Sequence, residues 1–173
     1  HTECILQNET HSAVQLNRQT DYAFRILIYL ADHAEASKNS AARPKIREIA
    51  AYFSVSYNHL MKVANTLVTH GYVESRRGKG GGLALARAPN AISLGAVARD
   101  IEGHWELVDC FGETTACRIA PTCQLAPILA EALEAFWDVL DRYTLADIAH
   151  LPPADTPVIF YQSPGHSPGK SLG

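Results

Sequence analysis

Apolar positions recur at helical spacing in four separate stretches of the first two thirds of the chain. Each stretch begins or ends at a residue typical of helix boundaries, such as Thr20 and Asp21 before the first, Ser56 before the third and Gly71 after it. Gly103 ends the fourth. The pattern therefore predicts helices over residues 20–36, 46–53, 56–69 and 93–102.

A short hairpin is predicted directly after the third helix. Residues 72–76 and 83–87 have strand character, and the glycine-rich basic segment RGKGGG at 77–82 separates them. This segment is not a P-loop, because Gly80 follows Lys79 where Ser or Thr is required, and Leu83 stands where a dinucleotide fingerprint needs glycine. A flexible surface hairpin is the remaining alternative to a wing. Helix, helix and hairpin in this order predict a winged helix-turn-helix over residues 15–89, in a mainly α fold with a small β-hairpin wing.

This architecture predicts how the chain meets DNA. The second helix of the pair enters the major groove, and the hairpin lies along the backbone or reaches into the minor groove. Polar side chains at the start of a recognition helix contact base edges, and cations neutralise phosphates. The predicted DNA-binding residues are Ser56, Tyr57, Asn58, His59 and Lys62 on the helix and Arg76, Arg77 and Lys79 on the wing.

Charge is distributed unevenly along the chain. The formal net charge is -3, but residues 15–89 carry eleven Lys and Arg against five Asp and Glu, whereas residues 90–173 carry four against eleven. A basic block followed by an acidic one is typical of a phosphate-binding module joined to one that does not bind phosphate. Chance clustering of solvated charges is the alternative.

The longest helical pattern covers residues 124–146. Its apolar residues form a wide face and its acidic residues lie opposite, which is more apolar surface than a small winged helix covers by itself. We therefore expect residues 125–150 to form a dimerisation helix, so that a homodimer reads two half-sites of a palindromic operator. A core helix within one subunit is the alternative. Five of the nine prolines lie in residues 151–173, which are expected to be a disordered tail.

Composition limits the class of protein further. A chain of 173 residues with 47% hydrophobic and 19% charged residues fits one main domain, and no apolar run is long enough for a membrane span. Residues 1–14, interpreted as an extension or tag, lack the pattern of a secretory signal, so a cytoplasmic protein is expected. Cysteines in a reducing compartment more often bind metal than form disulfides.

Residues 90–124 are expected to connect the two modules through the fourth helix and an irregular loop, and this loop contains three cysteines, Cys110, Cys117 and Cys123. Thiolates in a loop suit an iron-sulphur cluster or zinc, but the paired Cys-x2-Cys spacing of structural zinc sites is absent. A thiol enzyme would need a base beside Cys110, and His104 and Asp109 are the only neighbours of that kind. They form no catalytic constellation, so we expect no enzyme.

Several of these segments together resemble a known family. They are LNRQTDYAFR at 16–25, NHLMKV at 58–63, the RGKGGG tip and the three cysteines. The chain from about residue 15 to 145 resembles the winged-helix iron-sulphur transcription regulators. One branch of that family has a histidine three residues after the last cysteine, where this chain has Ala126. The nitric-oxide-sensing branch completes its cluster with an aspartate near the start of the first helix of the partner subunit, and Asp21 matches that position.

The resemblance implies a repressor that binds double-stranded DNA while its cluster, 4Fe-4S in the nitric-oxide-sensing branch, is intact. Nitric oxide is then the signal that reacts with the iron and releases the DNA. The alternative function is a regulator that senses redox state or iron supply through a 2Fe-2S cluster. The alternative interpretation of Asp21 is a helix-start residue favoured by the helix dipole.

Overall fold

The computed structural model describes residues 16–36, 43–78, 80–103, 108, 111, 117–152 and 156. These residues form a mainly helical fold with a two-stranded antiparallel sheet, which confirms the predicted fold class. The elements are α1 (Arg18–Ala36), α2 (Ile46–Tyr52), α3 (Tyr57–Thr69), β1 (Val73–Arg76), β2 (Gly82–Leu85), α4 (Leu94–Glu102), α5 (Leu125–Asp141) and α6 (Leu145–Ile148).

One hydrophobic core holds the helix-turn-helix together. Apolar side chains at helical spacing on α1, α2 and α3 are fully buried, and α4 and α6 add residues to the same cluster. Each large aliphatic side chain buried there contributes about 1.5–3 kcal/mol. The largest of these apolar side chains are Ile26, Leu27, Ile49, Leu60, Leu67, Ile92 and Leu145. The core therefore fixes α3 with its buried stripe inward and its polar face toward solvent.

The first helix begins earlier than the sequence pattern predicted. The Asn17 side chain accepts a hydrogen bond from the Gln19 N–H at 2.9 Å, as an N-cap residue does. Thr20 is instead fully buried, and its hydroxyl donates to the Glu102 carboxylate at 2.6 Å. The prediction of Thr20 as a cap was wrong because this threonine is needed to hold the end of α4.

The wing is attached to the segment just before α2. The Leu83 N–H donates to the Pro44 carbonyl at 2.8 Å, and the Arg43 guanidinium pairs with Glu74 at 3.0 Å. A Cβ at Gly82 would lie 2.5 Å from the Arg43 carbonyl oxygen and 2.6 Å from that of Pro44. Only glycine therefore permits this close approach of β2 to the backbone before α2.

The long C-terminal helix is shorter than predicted, since α5 ends at Asp141 and a separate α6 follows. The Leu145 N–H donates to the Ile92 carbonyl at 2.8 Å, and the Leu94 N–H donates to the Tyr143 carbonyl at 3.0 Å. Thr144 then starts α6, where Asp147 accepts from its N–H at 2.7 Å. After this turn Leu145 is fully buried in the core.

A buried tyrosine connects the base of the wing to α4. The Tyr72 hydroxyl donates to Asp100 at 2.6 Å, and the Arg87 guanidinium lies 4.8 Å from the centre of the Tyr72 ring. We expect Tyr72→Phe to lower the free energy of unfolding by about 1–2 kcal/mol, because a hydrogen bond to a charged group is lost. Urea unfolding at about pH 7 measures this, with Tyr143→Phe at a half-exposed position as the matched control.

The same tyrosine gives an expected pH dependence. Burial, followed by the hydrogen bond to Asp100, raises the pKa of Tyr72 from 10.0 to about 12. Because the unfolded phenol ionises near pH 10, the stabilisation is complete below that pH and is lost as the pH rises toward 12. Tyr72→Phe should flatten this decline. An identical decline in the variant and the unsubstituted chain would contradict the assignment.

Candidate functional site

The exposed start of α3 carries every DNA-binding residue that the sequence predicted on this helix. Ser56 is the N-cap residue in extended backbone conformation, and Leu60, Val63, Ala64 and Leu67 are buried. The five predicted residues are all exposed: Ser56, Tyr57, Asn58, His59 and Lys62. A helix held in this way presents a row of polar side chains to a groove.

An arginine that the sequence analysis missed lies beside this helix. Arg47 on α2 is exposed, and its guanidinium lies 5.6 Å from the centre of the Tyr57 ring. This stacking orients a cation along one flank of α3. The spacing of apolar residues in α2 does not show which neighbouring helix Arg47 meets.

The wing presents two arginines to solvent. Arg76 and Arg77 are exposed, whereas Lys79 lies outside the described residues. A groove of about 260 Å³ separates the start of α2 from the wing and is lined by Lys45 and Arg76 among others. Like Arg47, Lys45 was not among the residues predicted from the sequence. It adds a further cation to the positive surface around the wing.

The close contact between Gly82 and the backbone before α2 can be tested by substitution. We expect Gly82→Ala to displace β2 from the segment before α2, at a cost of about 1–3 kcal/mol for the overlap with backbone. DNA affinity should fall with it, because Arg76 and Arg77 move with the wing. Thermal unfolding and fluorescence anisotropy with a labelled duplex measure the two effects.

The control for this variant is Gly80→Ala. A Cβ at Gly80 meets nothing within 4 Å. The only free-energy cost of this substitution is that of placing alanine at a positive φ of 77°. Equal melting temperatures and DNA affinities for Gly82→Ala and Gly80→Ala would contradict the role assigned to the Gly82 contact.

Two of the three predicted cluster cysteines lie within the described residues. Cys117 and Cys123 are free thiols, both half-buried, on either side of a 3-10 turn, Ala120–Thr122. The Ala120 N–H donates to the Cys117 carbonyl at 3.2 Å, so a tight turn follows directly after the first thiol. Two accessible thiols in an irregular segment are a donor set that suits soft metal centres such as iron-sulphur clusters.

The complete ligand set is not brought together in this part of the chain. Cys110 lies outside the described residues, as do His104 and Asp109. Among the residues that are described, no three His, Cys, Asp or Glu side chains converge on a point where a metal ion would be held. The three-cysteine cluster site therefore stays a prediction.

Asp21 lies in the first turn of α1 with its side chain half exposed. Its carboxylate accepts a hydrogen bond from Arg25 Nε at 3.1 Å and pairs with the Arg25 terminal nitrogen at 3.0 Å. Such an exposed pair one helical turn apart is worth little in stability. The carboxylate therefore lies at the surface and, within the described part of the chain, is paired only with a residue of its own helix.

The fourth helix, α4, contacts both the start of α1 and the long helix α5. At its end Glu102 accepts hydrogen bonds from the Asn17 N–H at 2.7 Å and from the Thr20 hydroxyl at 2.6 Å, both at the start of α1. Arg99 makes a bidentate pair with Asp141 of α5 at 2.8 and 2.6 Å and lies 4.8 Å from the centre of the Trp137 ring. The side-chain hydrogen bond from Arg99 lowers the pKa of Asp141.

The segment that contains Cys110 and Cys117 follows the end of α4 in sequence. Gly103 ends the helix with a φ of 75°, and the chain from there reaches Cys110 and Cys117. In sequence, the cysteine region therefore follows the helix that contacts both the start of α1 and α5.

The fold and its exposed cations define a winged helix-turn-helix transcriptional regulator. Within the described ranges, no helix has the length and apolar character that crossing a membrane requires. The chain belongs to the Rrf2 family, whose model, described as an iron-dependent transcriptional regulator, matches residues 16–151. Members of this family regulate transcription, and the chain is accordingly a DNA-binding regulator and not an enzyme.

Individual relatives agree with this assignment. The chain is 46% identical over 136 residues to the HTH-type transcriptional regulator NsrR of Bacillus licheniformis. The aligned region covers 78% of this chain and 92% of that protein. The structure of CymR, the global cysteine regulator of B. subtilis, superposes with a TM-score of 0.58 at 26% identity over 79% of this chain and 97% of that one. T. potens IscR has the same fold, with a TM-score of 0.61 at 24% identity over 79% of this chain and 86% of that one.

Proposed function

We propose that the protein is a cytoplasmic repressor whose binding to a palindromic operator depends on an intact iron-sulphur cluster and ends when nitric oxide reaches that cluster. The observation that carries the proposal is the pair of free, half-buried thiols Cys117 and Cys123 in a chain 46% identical to a transcriptional regulator named NsrR. Cys110 would complete the thiolate set. When bound, the cluster supplies iron that reacts with nitric oxide, and we propose the 4Fe-4S form.

Asp21 of the partner subunit is the proposed fourth ligand. A carboxylate is a harder and weaker ligand for iron than a thiolate, so it leaves more easily. To act as a ligand, Asp21 must exchange its pairing with Arg25 for the metal, and the exposure of that pair makes the exchange inexpensive. This arrangement requires two subunits for each site.

A stripe on α5 supports the homodimer. No residue of this helix is buried, and Leu125, Ile128 and Val139 are 59%, 60% and 44% exposed. Together with the exposed Ala132 and Ala135 they recur at alternating intervals of three and four residues, which is the repeat of a coiled-coil seam. The half-buried apolar residues of α5 lie on another part of its surface. We infer that this stripe, Leu125 to Val139, packs against the same stripe of a second copy.

The contacts of α4 provide the path from the cysteines to DNA. Because Glu102 holds the start of α1 and Arg99 holds α5, a shift of the segment after Gly103 changes the placement of both helices. In a dimer joined through α5, this alters the spacing and orientation of the two α3 helices. An operator with fixed half-site spacing then fits only one of two arrangements.

The experiment exposes the protein, purified anaerobically with its cluster, to nitric oxide while anisotropy follows its complex with a labelled operator duplex. Iron and sulphide analysis and the absorption spectrum identify the cluster as 4Fe-4S or 2Fe-2S before the addition. We expect the complex to dissociate as the cluster absorption changes. A complex that persists after the cluster has reacted would overturn the proposed signal.

A further inference from the structure

We propose that a cleft between the start of α1 and the flank of α3 binds a backbone phosphate of the operator, with Arg18 as its principal ligand. The cleft has a volume of about 290 Å³ and is lined by Arg18, Gln19, Tyr22, His59 and Lys62 among others. The proposal rests on the DNA-binding function proposed above. It assigns to DNA contact a residue of α1, outside the helix-turn-helix pair and the wing.

Two cations, Arg18 and Lys62, line the cleft. Arg18 and Lys62 are exposed, and neither side chain makes an ion pair or hydrogen bond within the part of the chain that the structure describes. Of the nearby carboxylates, Asp21 pairs with Arg25, and Glu102 accepts hydrogen bonds from Thr20 and from the N–H of Asn17, which also lines the cleft. Two cations and an imidazole around one concave space match a phosphodiester group.

The position of the cleft on α3 fits the geometry of a major groove. His59 lies two residues after Tyr57, about 200° around the helix, so these side chains occupy opposite flanks of α3. Arg47 borders the Tyr57 flank, and Arg18 borders the His59 flank. A helix about 10–12 Å across fills a groove about 12 Å wide, which places one phosphate backbone on each side.

Two roles follow for residues of α3. His59 and Lys62 belong with Arg18 as backbone contacts to one strand, while Arg47 faces the other strand. Asn58 lies between the two flanks and remains as a base-edge reader. The sequence predicted these α3 residues as one group. The proposal divides them into residues that contact the DNA backbone and residues that contact base edges.

Arg18→Gln tests the cleft by its dependence on salt and sequence. Anisotropy titrations of the cluster-loaded protein use two labelled duplexes, an operator selected from a random library by the unsubstituted protein and a scrambled version of it. We expect affinity to fall roughly fivefold or more per subunit on both duplexes, and the slope of log affinity against log salt to fall by about 1 per subunit. Arg18→Lys, which keeps the charge, should restore most of the binding.

Arg142→Gln is the matched control, because it removes an exposed cation between α5 and α6 and should leave both quantities unchanged. An Arg18→Gln protein with unchanged affinity and salt slope would overturn the cleft as a phosphate site. A loss confined to the operator, with an unchanged slope, would also overturn it by indicating base contact. If the unsubstituted protein binds both duplexes alike, the proposed regulation fails, but the scrambled duplex still decides whether Arg18 binds phosphate.

Discussion

Replacing Cys117 or Cys123 by alanine is expected to abolish the iron content of the purified protein and to reduce its operator affinity to the level of non-specific binding. Specific binding by regulators of this kind exceeds non-specific binding by roughly 10³-fold or more, so the expected loss is of that size. Both thiols lie in an irregular segment outside the hydrophobic core, and the fold should therefore remain intact. Iron and sulphide analysis, absorption spectra and operator titrations of each variant measure these effects.

Ile119→Ala is the matched control for the cysteine variants. Its side chain lies between the two thiols in sequence and is 62% exposed, so the change alters the same segment without removing a ligand. This variant should keep its iron and its operator affinity. If the cysteine variants retained full iron and repressed as the unsubstituted protein does, these thiols would have no part in sensing.

Ile128→Glu is expected to convert the protein to a monomer and to abolish cooperative binding to two half-sites. Its side chain is 60% exposed in the isolated subunit, so the change should cost little stability there. In the proposed dimer each subunit contributes one glutamate carboxylate to the apolar seam between the two stripes. Burying these carboxylates costs about 3 kcal/mol or more and raises the dissociation constant of the dimer roughly 100-fold or more. Analytical ultracentrifugation over a range of concentrations measures the change.

Ala130→Glu distinguishes loss of the seam from a general effect of added charge. Ala130 is exposed on α5, but it lies on a different side of the helix from the stripe. This variant should therefore stay dimeric. A dimer of unchanged stability in Ile128→Glu would mean that the stripe does not hold the subunits together. Loss of the dimer should also reduce cluster retention, because Asp21 of the partner subunit is then missing.

The sequence predicted the local elements well where short-range signals determine them. Ser56 and Gly71 bounded α3, and the glycines between the two strand segments indicated the hairpin. These signals act through capping, φ preference and the spacing of apolar residues, all of which involve neighbours in the chain. The predicted polar row on α3 followed directly from them.

Long-range contacts decided what the sequence could not show. The end of α5 depends on the burial of Leu145 and on its hydrogen bond with Ile92, and the role of Thr20 depends on Glu102. The cations that flank α3 come from other helices, so no pattern within α3 revealed Arg47 or Arg18. The distance between the cysteines is likewise a tertiary property that their spacing leaves open.

In the proposed mechanism, the cluster decides whether the two α3 helices fit the operator. The most direct test compares operator affinity for one preparation before and after its iron is removed by a chelator under anaerobic conditions, with the scrambled duplex measured in parallel. The metal-free protein is expected to lose its selectivity and to bind both duplexes at the non-specific level. Undiminished preference of the metal-free protein for the operator would contradict it.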